Sequence, residues 1–420
     1  MSTSTSRQRK SIPAGLMIVL VLLAISAFIN YVDRGNLSIA APMLKDELGI
    51  SALQLGVLLS AFFWTYACLQ PISGWLVDRW NVNWVFAIGF FLWSAATAAT
   101  GMVHTFAALM ILRLLVGLGE SVAYPSYSKI LALNFEEEHR GLANAAISAG
   151  QVLGPGMGML FGGLLVARFG WRPFFLVLGF ASLLWLAPWA RWMPKGRDAS
   201  FPHANAPSLS EFLRLRSAWG TSIGLFCSNY VNYFLITWLP FYLVREQHFS
   251  TENMAKIGGI AYLVAAIFAT LTGWFSDRRI TKGSTPTVVR KTVIGGGLAL
   301  AGVFVGLASV GGPSYSVGAL ILGVGFFGIA NSSIWAVTQT LAGPQAAGRW
   351  TGFQNFIGNF AGVVAPALTG FVLDRTGQFY WAFVILTGVA LAGAVCFVFV
   401  VGPVEQVVWH KRLPARHVSA

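Results

Sequence analysis

Charge is what this sequence is short of: 10% of its 420 residues are charged, against about 25% in a soluble globular protein. At this length a soluble fold needs two or three domains with charged shells, and the side chains for those shells are missing. Cysteine is scarce as well. Cys68, Cys227 and Cys396 lie inside apolar runs, too few for a disulfide framework, and read as packing residues. No Walker loop occurs, which argues against ATP drive, and no H-E-x-x-H pair suggests a metal site. The six histidines (His104, His139, His203, His248, His410 and His417) fall in loops, at span edges or in the tail, which leaves an intramembrane enzyme poorly supported.

What is present in their place is apolar sequence in runs of 20 residues and more, the length that carries a helix across about 30 Å of hydrocarbon. Forty-six glycines suit close helix approach in a bilayer. The net charge of +13 points to the cytoplasmic excess of lysine and arginine found in membrane proteins rather than to a nucleic-acid partner. Met1 to Lys10 resembles the basic start of a signal peptide. The apolar run behind it, continuing past Leu37, is far longer than the 7–15 residues of a cleavable segment, so an uncleaved first span is expected.

Twelve spans are predicted, at roughly 14–40, 52–76, 83–101, 105–130, 142–166, 173–193, 217–243, 256–276, 291–309, 315–341, 350–373 and 380–402. The longest polar interruption, Pro194 to Arg216, divides them six and six. The expected organisation is an N-terminal tail (1–13), a six-helix bundle (14–193), a cytoplasmic linker (194–216), a second six-helix bundle (217–402) and a C-terminal tail (403–420). With the N-terminus inside, twenty of the 28 lysines and arginines fall on the cytoplasmic side or its edge, six outside, and two, Arg34 and Arg113, within spans. That asymmetry supports the orientation, with both termini cytoplasmic.

The halves repeat. Gly74-Trp75-Leu76-Val77-Asp78-Arg79 ends the second span, and Gly273-Trp274-Phe275-Ser276-Asp277-Arg278 ends the eighth. Arg168-Phe169-Gly170 and Arg375-Thr376-Gly377 follow the fifth and eleventh spans in the same way. Such correspondence indicates a duplicated six-helix unit. The two Gly-to-Arg stretches resemble the loop motif of the major facilitator superfamily, and the resemblance covers essentially the whole chain. It departs where the family often has glycine two residues after the arginine and this chain has Asn81. In physical terms the acid and the arginine can clip neighbouring helix ends, so Gly74, Asp78, Arg79, Gly273, Asp277 and Arg278 are read as a gating motif. A positively charged turn is the plainer alternative.

Four charges lie inside apolar spans of the first half: Asp33, Arg34, Arg113 and Glu120. Each costs about 2.5–3.5 kcal/mol or more at the centre of an isolated spanning helix, so such residues mark function by default. Arg113 and Glu120, two turns apart, project from one helix face. Asp33 and Arg34 are adjacent and diverge by about 100° around theirs. A self-neutralising network that merely locks the bundle is the competing account, disfavoured because an apolar core is usually no less stable. An arginine fork recognises a carboxylate bidentately and keeps its proton. A buried carboxylate changes its proton affinity with its surroundings, which can link proton binding to substrate binding.

This constellation resembles the anion:cation symporter branch of the superfamily, which includes sugar-acid permeases and sialin-like carriers. The stretches that carry the likeness are Asn30 to Leu37, Arg113 to Glu120 with Pro125 following, and Thr237 to Leu243. The resemblance implies that Asp33 and Glu120 carry protons and that Arg34 contacts the substrate carboxylate. Arg113 then either pairs with the acids or helps hold substrate. Tyr31, within the first stretch, joins the substrate-binding set, and the likeness also points to Tyr66 and Gln151 as pocket-lining hydrogen-bonders. Chemistry alone extends the set to Asn229, Tyr233, Asn355 and Asn359. An ordinary interhelical contact stays open as the role of these last six.

Gly150, Gly154, Pro155, Gly156, Gly158 and Gly162-Gly163 partly resemble the glycine–proline motif of proton-coupled drug antiporters. Packing is the better account, since Gly154 and Gly158, then Gly158 and Gly162, share one helix face. The expectation is therefore an all-α, twelve-helix membrane protein with the major facilitator fold, importing a small organic anion, a sugar acid such as a hexonate, hexuronate or aldarate, by proton symport. No cofactor beyond the coupling proton is expected, and the partners are the substrate and the lipid bilayer, with function as a monomer in a bacterial inner membrane. The alternatives are a drug or metabolite exporter of the same fold and a non-transporting sensor.

Overall fold

The computed structural model describes residues 13–135, 137–194 and 209–408. Most of the expected tails and of the central linker, including Pro202 and Pro207, lies outside them. All regular structure among the described residues is helical. The first half comprises α1 (Ala14–Leu48), α2 (Ala52–Arg79), α3 (Val82–Thr100), α4 (Phe106–Glu120), α5 (Ala123–Asn134) and α6 (Glu137–Met157). A π-helical turn at Gly158–Gly162 leads into α7 (Gly163–Phe169), followed by α8 (Trp171–Leu183) and α9 (Leu186–Trp192). The second half comprises α10 (Leu209–Leu213), α11 (Arg216–Arg245), α12 (Thr251–Thr281), α13 (Pro286–Leu307), α14 (Pro313–Thr376) and α15 (Phe379–Val395), which ends in a π-helical turn at Cys396–Val400.

Among the described residues eleven stretches are long and apolar enough to cross a bilayer, and the chain is an all-α, multi-spanning membrane protein. A helix also covers the expected seventh span. That helix, α11, has 30 residues but is more polar than the others, and its Thr221, Ser222, Ser228 and Thr237 are all buried. Turning hydroxyls inward keeps them out of lipid, where an unmet polar group is costly.

Local chemistry accounts for the helix ends. Asn81, the departure from the family loop motif, is the N-cap of α3, its side chain accepting from the Asn83 N–H. Thr105 caps α4 through the Ala108 N–H, and Thr285 caps α13 with Pro286 directly after it. The fourth span is interrupted at Ser121 and Val122, between α4 and α5. Pro125 explains the break, because its ring has no N–H for the Ser121 carbonyl and crowds it. Within α14 the backbone leaves helical geometry at Gly343, with φ 61° and ψ 178°, a conformation glycine adopts without a Cβ penalty.

Contacts divide the chain into two compact units. The first contains the described parts of Met1–Gly49, Ala61–Ser200 and Ser250–Lys256. In it α1 lies along α6. A Cβ on Gly154 would meet the Tyr31 Cβ at 2.6 Å, and one on Gly150 the Ala24 carbonyl oxygen at 2.5 Å. These glycines are packing residues, as their spacing implied. Phe86 sits edge-on to Tyr127, Trp185 and Trp189, and the Trp185 indole donates to the Leu22 carbonyl at 2.9 Å. Together these contacts lock α3, α5 and α9 onto α1. At the far end of α1, Glu47 accepts from the Trp171 indole at 2.7 Å and pairs with Arg172 at 2.5 Å.

The second unit contains Ile50–Ser60 and the described parts of Phe201–Phe249 and Ile257–Ala420. Trp238 donates to the Pro366 carbonyl at 3.2 Å, and Trp350 donates to Thr221 Oγ1 at 2.9 Å, both joining α11 to α14. Tyr242 reaches the Ala308 carbonyl at 2.7 Å. Within this unit, the Ala52 and Leu53 N–H groups, which open α2, each donate to an oxygen of Asp374 at 2.8 Å, so a carboxylate covers the positive end of the helix.

Candidate functional site

Among the described residues the buried charged side chains are Asp33, Arg34, Arg113 and Glu120. All four belong to the first unit, and α1 and α4 bring them together. Adjacent residues on α1 serve different partners. Arg34 Nε lies 3.4 Å from Glu120 Oε2, with both side chains almost fully withdrawn from solvent. Asp33 instead accepts two hydrogen bonds on Oδ1, from Asn36 Nδ2 at 2.9 Å and from Thr97 Oγ1 of α3 at 3.3 Å. Asn36 Oδ1 in turn accepts from Arg113 Nη1 at 3.3 Å. The four charges thus form a direct pair, Arg34 with Glu120, and an indirect one in which an amide stands between Arg113 and Asp33.

Aromatic rings enclose the arginines. The Arg34 guanidinium carbon lies 4.7 Å from the Tyr31 ring centroid, 4.5 Å from that of Tyr66 and 5.4 Å from that of Phe62. Phe62 and Tyr66 stack at 5.2 Å, and Phe62 also lies 5.8 Å from the Arg113 guanidinium. Rings against its faces leave a guanidinium to hydrogen-bond through its edge, which aims its fork. Two phenol contacts complete this interior, Tyr31 with Tyr124 and Ser26 with Tyr127, each at 3.0 Å. The break after α4 places Glu120 at that helix's C-terminal end, beside Ser121, whose hydroxyl meets Ser73 at 2.7 Å.

The expected first-half residues Asp33, Arg34, Arg113, Glu120, Tyr31 and Tyr66 therefore converge. Gln151 is half-buried on α6. Sequence reasoning passed over Asn36, Phe62, Thr97 and Tyr124. Asn36 was within reach of inspection, three residues from Asp33 on one helix face. Thr97 and Tyr124 carry no signal that separates them from other polar residues in apolar helices.

In the second unit Tyr233 donates to Asn359 Oδ1 at 2.7 Å, and Asn359 donates to the Asn355 carbonyl at 2.8 Å. The Asn229 amide packs over Gly358. A further pair, unforeseen, joins Thr338 to Gln354 at 2.7 Å, with both residues fully buried. In the repeated loop motifs, the Arg79 guanidinium lies 5.7 Å from the Trp75 ring and that of Arg278 lies 5.2 Å from the Trp274 ring. The Asp78 side chain is outside the description, and Asp277 is exposed.

Two strings resemble enzyme motifs and are not sites. Gly220-Thr221-Ser222-Ile223-Gly224 has the G-x-S-x-G pattern and Gly323-Val324-Gly325-Phe326-Phe327-Gly328 the G-x-G-x-x-G pattern. Both run through continuous helix, in α11 and α14, without the strand-to-helix turn that such chemistry requires.

A family model described as Major Facilitator Superfamily matches residues 23–366, and the chain belongs to that superfamily. It is 29% identical over 399 residues to a hexuronate transporter of Bacillus subtilis (strain 168), covering 92% of this chain and 94% of that protein. It is 27% identical over 443 residues to the probable galactarate/D-glucarate transporter GarP of Escherichia coli (strain K12), covering 97% and 99%. Against the probable sulfoacetate transporter SauU of Cupriavidus necator it is 28% identical over 403 residues, covering 91% and 93%. In fold it is similar to a bacterial homologue of the human lysosomal transporter Spinster, solved in an inward-facing, occupied conformation. The TM-score is 0.76 at 19% identity, covering 93% of this chain and 95% of that one. These relatives lend no support to the drug-exporter alternative.

Proposed function

We propose that the chain is a proton-coupled importer of a small organic anion, a sugar acid such as a hexuronate, hexonate or aldarate, working as a monomer in a bacterial inner membrane. The reading includes twelve spans in two six-helix bundles with cytoplasmic termini. One observation carries it: two cations and two carboxylates are buried together in one unit, in contact with phenols and an amide. With both acids ionised that group is neutral. Each acid group of an anionic substrate adds one negative charge to a medium that tolerates none cheaply, and each proton taken up with it cancels one.

In this reading the substrate carboxylate competes with Glu120 for the Arg34 fork, and Glu120, losing its partner, takes a proton. Arg113 and Asp33 form the second pair. The amides and phenol of the second unit, Asn229, Tyr233, Asn355 and Asn359, with Tyr66 and Gln151 of the first, suit the hydroxyls of a sugar acid. The paired loop motifs Gly74–Arg79 and Gly273–Arg278 serve as conformational latches. Relatives named for hexuronate, galactarate and D-glucarate support the substrate class.

The test is uptake into proteoliposomes of radiolabelled D-glucuronate, D-gluconate, D-galactarate and sulfoacetate, with and without an inward proton gradient. Accumulation of at least one above its equilibrium level, abolished by a protonophore, is expected. No gradient-dependent uptake of any of them defeats the reading.

A further inference from the structure

We propose that Asn36 is a positioning residue that links the protonation of Asp33 to the hold on Arg113. The inference rests on the reading of Asp33 as a proton carrier. Asn36 is buried, as are both its partners. Its amide has a forced orientation: an ionised carboxylate only accepts and a guanidinium only donates, so Nδ2 must face Asp33 and Oδ1 must face Arg113. The distances, 2.9 Å and 3.3 Å, place it in hydrogen-bond contact with both.

The two oxygens of Asp33 are not equivalent. Oδ1 takes the donors Asn36 and Thr97. Oδ2 is buried and has no hydrogen-bond partner among the described residues. A proton arriving at Asp33 therefore goes to Oδ2, where no donor stands in the way. Oδ1 then becomes the carbonyl oxygen of a neutral acid, and its bond from Asn36 loses the charge assistance that roughly doubles such a bond's strength. Hydrogen bonds in a chain polarise one another, so the bond from Arg113 to the far end of the same amide weakens with it. One proton loosens the second arginine without touching it.

The groups facing Asp33 can be named element by element. α1 itself supplies Arg34 and Asn36, α4 supplies Arg113 and Glu120, and α3 supplies the neutral Thr97. The phenols of the same interior are Tyr31 of α1, Tyr66 of α2, and Tyr124 and Tyr127 of α5; α6, packed on the other side of α1, brings the uncharged Gln151. Of the charged groups, Arg113 is the one the structure connects to Asp33 through hydrogen bonds, and the connection is Asn36.

The experiment needs no substrate. Infrared titration of the purified full-length protein in nanodiscs follows the carbonyl band of protonated buried carboxyls, with Asp33→Asn identifying the Asp33 component. Asn36→Ala should move that component's midpoint upward by about one pH unit, roughly tenfold in proton affinity, because the ionised form loses a donor and its link to a cation. A role in packing alone would change the amount of folded protein and leave the midpoint in place. Asn36→Leu, similar in size but without donor or acceptor, answers the same question if the alanine variant does not fold. An Asp33 band whose midpoint is unmoved by these substitutions overturns the role of Asn36 alone. If Asp33→Asn removes no titrating band at any pH, the proton-carrier reading of Asp33 fails and this inference fails with it.

Discussion

The two units bury different kinds of polarity. The first holds charge: Arg34 against Glu120, and Arg113 joined to Asp33 through Asn36. The second, among its described residues, holds neutral groups, with Tyr233 on Asn359 and Thr338 on Gln354, and no buried charge. The Gly-to-Arg loop motif nonetheless occurs in both halves, each time with an arginine–tryptophan contact. The likeness of the loops does not extend to the two interiors. Charge is costly in a bilayer, and buried charges there by default mark function. Neutral hydrogen bonds are cheap enough to use for orientation, and a polyol offers many partners for them.

The largest effect should come from breaking the charged side. Arg34→Ala leaves Glu120 buried without its cation and removes the fork that suits a carboxylate. Removing one partner of a buried pair costs about 3–5 kcal/mol. Saturable uptake should therefore fall by at least about a hundredfold, with Arg34→Lys recovering only part of it because an ammonium cannot bind bidentately. Affinity measured by scintillation proximity on a transported acid would decide this; unchanged affinity would remove Arg34 from the substrate site.

A substitution on the neutral side should do less. Tyr233→Phe deletes one hydrogen bond worth about 1 kcal/mol, and the expected change is about fivefold in KM for a hydroxylated acid. Sulfoacetate, which lacks the hydroxyls, is the control: equal losses for both acids would assign Tyr233 to structure rather than to recognition. The smallest effect belongs to the repeated motif. Trp274→Ala removes an exposed cation–π contact worth about 0.5–1 kcal/mol, so thermal stability should barely move. A large loss at Trp274 but none at Trp75→Ala would show that the two loop motifs are not equivalent.

Much of this contrast was visible in the linear chain. Asp33, Arg34, Arg113 and Glu120 stand out because the other charges within the expected spans of the first half, Lys129 and Arg191, sit at span ends. Tyr233 and Asn359 were named on chemistry alone, and they do touch. The seventh span was expected as readily as the others, although α11 is the one helix there too polar to count as a candidate span. Helix edges extend past the expected ones, as α1 does to Leu48 for a span expected to end near residue 40, because backbone hydrogen bonding carries a helix on through its polar last turn, Lys45-Asp46-Glu47, where hydropathy no longer marks it.

By itself, then, the sequence determined the helical type of the elements and the places where charge interrupts apolar helix, because those depend on length, hydropathy and solvation, which are local. Which acid meets which arginine was left to the tertiary structure. Asp33 and Arg34 are neighbours in the chain and point about 100° apart, so their partners depend on how α1 is rotated against α4. Contacts several helices long set that rotation, with Gly150 and Gly154 seating α1 on α6 and Trp185 anchoring α9 to it. Only after that packing is in place does Asn36 come to lie between Asp33 and Arg113.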